Sequence, residues 1–416
     1  MHLAAILKGK PFQPISPASM PDPRDRALAN RIVTTAMRRH GHISLVLDDL
    51  LKKGVPDRAG PLEAVLRTGI AQLLYMEGIP AHSALHLSVE AARRDKRSGR
   101  FDKLVNGVLR QAQRDAEKFA ALDPILLLPD WLAKGWIKTF GAEAVNKFCV
   151  ALLEGAPLDL TLKRYDKDLV DALGGELVIG NSIRVNTRES VIADLPGFAE
   201  GKWWVQDAAA TLGARLINAG KGMRVLDLCA APGGKTAQLA SMGADVVALD
   251  IDENRLERLA QNMDRLGFAP EVVVADALAY EPDEKFDAVL LDAPCSATGT
   301  FRRHPEVLWQ RDAGGIAERV RIQRAMVSHA LDLLKPGGLL VYCVCSLESE
   351  EGEDQARWAL EQFKSIALAP VSADELDGWV EPITSQGTVR THPGLAVPGS
   401  AGGTLDGFFI ARFVKN

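Results

Sequence analysis

From about residue 22 to residue 118, apolar positions recur at helical spacing. Ala27, Leu28, Ile32, Val33, Ala36 and Met37 share one face, behind an Asp22-Pro23-Arg24-Asp25 run suited to cap a helix. Leu45, Leu47, Leu50 and Leu51 make a second set. Pro61 opens a third through Leu62, Val65, Leu66, Ile70, Leu73 and Leu74. Gly78-Ile79-Pro80 interrupts the pattern, residues 83–92 resume it, and residues 101–109 give the last apolar face. This pattern predicts an all-α bundle. Past residue 200 the period changes: short apolar runs alternate with helical stretches, which predicts an α/β fold built on a doubly wound parallel sheet. Strands are expected at 223–228, 245–250, 271–275, 286–292 and 339–343, with helices over 253–266 and 315–334. The expected domains are a loose, proline-containing tail at 1–21, the bundle at 22–118, a linker and abbreviated α/β subdomain at 119–200, and the doubly wound domain at 201–416.

Charge sharpens this division. Residues 1–118 hold 20 Lys and Arg against 12 Asp and Glu, a surplus of +8, while the whole chain stands at −5 and the remainder therefore at −13. A basic bundle before an acidic α/β half suggests that the bundle meets a polyanion. No apolar run reaches the ~18 residues of a membrane span. The five cysteines (149, 229, 295, 343 and 345) show neither zinc spacing nor a disulfide framework, which points to a reducing cytoplasm and no metal.

The chemistry starts at Val225-Leu226-Asp227-Leu228-Cys229-Ala230-Ala231-Pro232-Gly233-Gly234-Lys235-Thr236, a strand, a tight turn of small residues and the start of a helix. Glycine admits close backbone approach, and a helix N-terminus presents N–H groups to a carboxylate or phosphate. The Gly-Lys-Thr ending imitates a triphosphate loop, but Cys229 stands where that loop needs its first glycine. The G-x-G-x-x-G dinucleotide fingerprint is absent as well. A short Gly turn followed by an acid at the end of the next strand fits S-adenosylmethionine (SAM). Asp250, ending the second strand, is expected to accept the ribose hydroxyls, and Asp276, after the third, the adenine amino group.

Two cysteine loops are the more specific signal: Asp292-Ala293-Pro294-Cys295-Ser296-Ala297-Thr298-Gly299 and Cys343-Val344-Cys345-Ser346. Carbon-5 of cytosine is a poor nucleophile until a thiolate adds to carbon-6 and makes the ring enamine-like. A carboxyl group sharing a proton with ring N3 stabilises the adduct, a task suited to Asp292. The target base must leave any helical stack to reach such a pocket.

Two resemblances add to this reading. Residues 63–74, Ile79-Pro80-Ala81-His82, Val89-Glu90-Ala91-Ala92 and the run from Phe101 to Arg110 resemble a NusB-type RNA-binding bundle. Its Arg93, Arg94, Arg97, Asn106 and Arg110 are candidate RNA contacts. The run Cys229–Thr236, the Asp292–Gly299 loop with Arg302-Arg303-His304-Pro305-Glu306, Cys345-Ser346 and the closing Asp406-Gly407-Phe408-Phe409-Ile410-Ala411 resemble the Sun-type RNA cytosine-5 methyltransferases, the type with a NusB-like bundle that modifies small-subunit (16S) rRNA. That resemblance implies a Rossmann-like SAM-dependent methyltransferase domain. It also implies Cys345 as nucleophile, Cys295 as the cysteine that helps expel product, and Asp292 beside them. SAM contacts are implied for Cys229, Ala230, Ala231, Pro232, Gly233, Gly234, Lys235, Asp250, Asp276 and Asp292. Because DNA cytosine methyltransferases attack with a Pro-Cys cysteine, Cys295 is the alternative nucleophile. Arg302, Arg303 and His304 either hold RNA phosphate or brace their loop. The chain departs from the family at Val344, where threonine is usual, and at residues 157–163, which lack the arginine of a Leu-Arg-x-Asn segment. Expected partners are 16S rRNA, with no DNA, membrane or obligate protein. A tRNA substrate and a non-catalytic RNA-binding assembly factor are the alternatives.

Overall fold

Asp22 caps the first long helix, accepting the backbone N–H groups of Arg24 and Asp25, and Pro23 takes the first-turn position where its missing N–H costs nothing. The computed structural model describes residues 2–185, 191–399 and 403–416. Residues 186–190 of the expected subdomain and 400–402 of the expected methyltransferase domain therefore lie outside the described residues. The chain divides into two units, one of residues 1–155 with 301–310, the other of residues 156–300 with 311–416. Among the described residues, no helix is long and apolar enough to cross a membrane.

The first unit is helical. Helices Pro23–Arg38, His40–Leu50, Leu62–Tyr75, Ala81–Arg93 and Asp102–Arg114 supply the predicted apolar faces. Ile43, Val46, Leu66, Ile70, Val105 and Leu109 are fully buried at their common core. Two expectations change here. The supposedly loose tail contains a helix, His2–Ile6, whose Leu3 and Ile6 enter that same core. The boundary expected at 118 also moves: residues 119–155 form helices Asp130–Phe140 and Ala142–Glu154 and belong to the helical unit. Segment 301–310 also packs there: the Phe301 ring lies 5.7 Å from Trp136 and 6.3 Å from Phe148, and Trp309 lies 4.5 Å from His40.

The second unit holds two sheets. In the smaller, β1 (Leu158–Leu162), β2 (Gly175–Ile179), β3 (Ser182–Val185) and β4 (Trp203–Val205) are ordered β2-β3-β1-β4. Register places Asp159 opposite Arg184, and the pair is bidentate and buried, at 2.8 and 3.0 Å. Trp203 and Trp204 are buried, each with its ring N–H bonded internally, and serve as packing residues.

The larger sheet contains β5 (Arg224–Leu228), β6 (Asp245–Asp250), β7 (Glu271–Val274), β8 (Phe286–Asp292), β9 (Leu334–Val344), β10 (Ile366–Leu368), β11 (Val389–Thr391) and β12 (Phe408–Lys415). Its order is β10-β12-β9-β8-β5-β6-β7, with β11 also on β12. Strands β5 to β9 run parallel, and β12 is antiparallel to β9. Their near-continuous apolar runs reflect burial on both faces, and Leu226, Val289, Leu291 and Leu340 sit at the centre with less than 1 % exposure.

Candidate active site

The chain enters the larger sheet at β5, winds outward through β6 and β7, then returns to β8 and β9 on the other side. Strand order reverses between β5 and β8, and ligands in such sheets bind beyond the carboxyl ends at that point. The turn after β5 is shaped for close approach. Cys229 is left-handed (φ 61°) and so is Gly233 (φ 100°), where an added Cβ would stand 2.7 Å from Leu259 Cγ. Helix Gly234–Ser241 follows, its first N–H groups lacking intrahelical acceptors.

Asp250 ends β6 and is buried. The N–H groups of Ala231 (3.2 Å) and Asp252 (3.0 Å) donate to its carboxylate, fixing it against the turn. Asp276 lies past the end of β7, exposed, its carboxylate accepting the N–H of Leu278. Together, the glycine bend, the helix start and the acid at the end of β6 fit the carboxylate and nucleoside of SAM.

Beneath the turn, Asp227 is fully buried. One oxygen accepts Thr236 Oγ1–H at 2.6 Å, and the other has no hydrogen-bond partner among the described residues. Burial pushes its carboxyl up to about 7, against the Thr236 bond and the Lys235 charge. Because the folded value lies above the unfolded one, this group's contribution to stability is complete below about pH 4 and runs down as the pH climbs through about 7. Asp227→Asn is therefore expected to flatten the fall in thermal stability between pH 5 and pH 8. The effect removed over that window is on the order of 3 kcal/mol, about two units at ~1.4 kcal/mol each, and unfolding followed at both pH values reads it.

Strands β8 and β9 are parallel neighbours with Asp292 opposite Cys343, so the two cysteine loops leave the sheet side by side. Cys295 Sγ and Cys345 Sγ are 3.5 Å apart. The Gly299 N–H donates to the Cys345 carbonyl at 3.0 Å and ties the loops together. Gly299 is required by contact with β12, since an added Cβ would meet the Gly407 carbonyl oxygen at 2.0 Å. Asp292 joins the cysteine loops to the glycine turn: Lys235 Nζ donates to one oxygen at 2.6 Å, and the Cys343 thiol to the other at 3.4 Å. Burial opposes the Lys235 charge, but Asp292 and the neighbouring thiols raise its affinity for the proton above the ordinary lysine range. The Cys295 thiol is held well above its usual range by its hydrogen bond to Cys345, then by burial. Burial and Asp292 do the same to Cys343.

The sequence does not single out the polar girdle behind these loops. Glu351, Ser296, Thr298, Ser346 and Gln323 are all wholly buried. Glu351 is one of several acids in the run after Cys345, and nothing in their spacing distinguishes it. Arg390 donates to the Ser346 carbonyl at 2.5 Å and forms a bidentate pair with Glu353.

The basic candidates separate. Arg93, Asn106 and Arg110 line one groove of about 540 Å³ in the helical unit, with His82, His86, Lys103 and Asp102. Only the pairing of helices Ala81–Arg93 and Asp102–Arg114 brings His82, His86 and Lys103 to one groove. Arg94 and Arg97 are exposed outside that groove. Of the loop candidates, His304 is exposed, Arg303 half-buried and Arg302 fully buried. The full burial of Arg302 favours the bracing alternative for that residue.

Residues 214–414 match the family described as 16S rRNA methyltransferase RsmB/F, and residues 6–114 match the NusB family. The ribosomal RNA small subunit methyltransferase B of Pseudomonas putida is 35% identical, covering 99% of this chain and 96% of that protein. Its counterpart in Salmonella paratyphi B is 34% identical, covering 94% and 91%. Among solved structures, PH0851 aligns over 100% of this chain and 97% of its own at a TM-score of 0.77 and 25% identity. A methyltransferase homolog protein from Pyrococcus horikoshii aligns over 71% and 99% at a TM-score of 0.59 and 27% identity. An N-terminal NusB-like bundle, a SAM-type sheet and likeness over nearly the full length of these relatives agree: the chain belongs to the RsmB/F family of rRNA methyltransferases, whose methyl donor is SAM.

Proposed function

We propose that the chain methylates carbon-5 of a cytosine in 16S rRNA through a covalent adduct to Cys345. The observation that carries this reading is the 3.5 Å approach of Cys345 Sγ to Cys295 Sγ, beside an Asp292 that is itself bonded to Lys235 of the glycine turn. When bound on that turn, SAM supplies an electrophilic methyl group.

Cys345 loses its proton to solvent and its sulfur adds to carbon-6, while ring N3 takes up a proton from solvent and shares it with the Asp292 carboxylate. The electron pair released to carbon-5 takes the methyl group. A solvent base then removes the carbon-5 proton, N3 gives its proton back to solvent, and the carbon-6–sulfur bond breaks with its pair going to Cys345. Cys295, kept protonated, donates its S–H to that departing sulfur. Lys235 holds Asp292 in place throughout.

A 16S rRNA fragment carrying 5-fluorocytosine has no carbon-5 proton to lose. It is expected to yield a denaturation-resistant protein–RNA species with the added mass on Cys345. RNA that stays free overturns the reading. Sequencing 16S rRNA for 5-methylcytosine with and without the gene identifies the substrate.

The groove of the helical unit supplies phosphate contacts. Lys103→Ala and Arg110→Ala are each expected to weaken RNA binding uniformly across sequences and to reduce the slope of log affinity against log salt by about 1. Titrations at several salt concentrations measure both.

A further inference from the structure

We infer that Glu351 is a positioning residue that fixes the division of labour between the two cysteines, clamping the Cys295 loop against the Cys345 loop and keeping Cys295 from attacking. This rests on the reading of Cys345 as nucleophile.

Glu351 is fully buried, and among the described residues it forms no ion pair. Its carboxylate is satisfied by hydrogen bonds alone. The Ser296 N–H reaches both oxygens at 2.9 and 3.2 Å, the Ser296 hydroxyl donates at 2.5 Å, and Gln323 Nε2 donates at 3.0 Å. Ser296 follows Cys295 directly, so these bonds fix the backbone that aims the thiol. The same Ser296 hydroxyl lies 3.0 Å from that of Ser346, the residue after Cys345. One carboxylate therefore sets both loops. Gln323 extends the clamp to the Pro294 carbonyl at 3.0 Å and is itself held by Gln355 at 3.0 Å.

The charge has a second effect. An unpaired anion in a low-dielectric interior opposes a second negative charge nearby. The Cys345 hydrogen bond and burial already favour the protonated Cys295 thiol, and Glu351 adds to them. Tyr342, whose hydroxyl donates to the Glu351 carbonyl at 2.6 Å, and Cys343 are further titratable groups at this face. Of the nearby cations, Arg311 donates to the Ser296 carbonyl at 2.9 Å, and Arg390 is paired with Glu353. Cys295 thus stays a neutral S–H donor to the departing sulfur, and attack falls to Cys345.

The test uses the full-length protein without substrate, following iodoacetamide alkylation of each cysteine by peptide mass against pH. Glu351→Gln keeps the shape of the side chain and removes its charge. It is expected to shift the Cys295 profile to lower pH by about one unit, roughly tenfold faster alkylation at pH 8. Ser296→Ala loosens the clamp but leaves the charge, and its Cys295 profile is expected to stay in place or move to higher pH. An unchanged profile in Glu351→Gln overturns the inference. So does an equal downward shift in both variants, which would mean only that a loosened loop exposes the thiol. If Glu351→Gln does not fold, Ser296→Ala decides alone, a downward shift overturning the inference and a stationary or upward one supporting it. Failure of the wild-type protein to trap 5-fluorocytosine RNA would instead remove the nucleophile reading, and the substrate-free profiles keep the two failures apart.

Discussion

Cys345→Ala is expected to abolish both methyl transfer and the 5-fluorocytosine adduct, a loss of about 10⁴-fold or more, the scale on which removal of a covalent nucleophile acts. Cys295→Ala is expected to behave differently. With its thiol gone, the departing sulfur loses the hydrogen-bond donor that stands 3.5 Å away, so attack and methyl transfer proceed while release slows. Unmodified RNA and SAM should then accumulate a protein–RNA species that the wild-type protein does not, visible on a denaturing gel. The two variants thus part at a single band. An adduct that survives in Cys345→Ala and vanishes in Cys295→Ala would assign the roles the other way round, as in the DNA enzymes.

The second large effect is expected at Asp292. Its carboxylate lies where β8 ends, bonded to Lys235 at 2.6 Å, and the Lys235 side chain is only 10% exposed. Asp292→Asn keeps the shape but cannot share a proton with ring N3. Single-turnover methyl transfer should fall by about 10²–10⁴, the usual range for a lost acid–base group. The same change leaves Lys235 buried without its counter-ion, a cost on the order of 3–5 kcal/mol, so a lower melting temperature should accompany the loss. SAM binding measured by equilibrium dialysis separates the two. A variant that is folded and still binds SAM, yet transfers methyl at the wild-type rate, would remove Asp292 from the chemistry.

Much of this site was legible because its parts are local. A strand, a glycine bend and a helix start are contiguous in residues 225–236, and both cysteine loops carry their signature within a few residues. The sheet was legible for a related reason: strands buried on both faces read as unbroken apolar runs, and acids mark their ends. What stayed hidden depends on pairing across distance. Arg184 meets Asp159 only through the antiparallel register of β1 and β3. Glu351 reaches Ser296 from 55 positions away. The burial of Phe301 could not be foreseen, because the rings it packs against belong to Trp136 and Phe148, more than 150 positions earlier. Leu3 and Ile6 were missed for a simpler reason: a one-turn apolar helix leaves too short a period to detect among prolines.

The detour of residues 301–310 into the helical unit bears on any attempt to divide the protein. A gene cut after residue 155 would not separate two independent modules. The N-terminal fragment would lack the side chain of Phe301, which is wholly covered in the intact chain, and would leave the faces of Trp136 and Phe148 open to water and to other molecules. The C-terminal fragment would carry ten residues with no core to enter, inserted just after the first cysteine loop. Both pieces should aggregate when made alone and recover solubility when produced together, a behaviour of split proteins rather than of beads on a string.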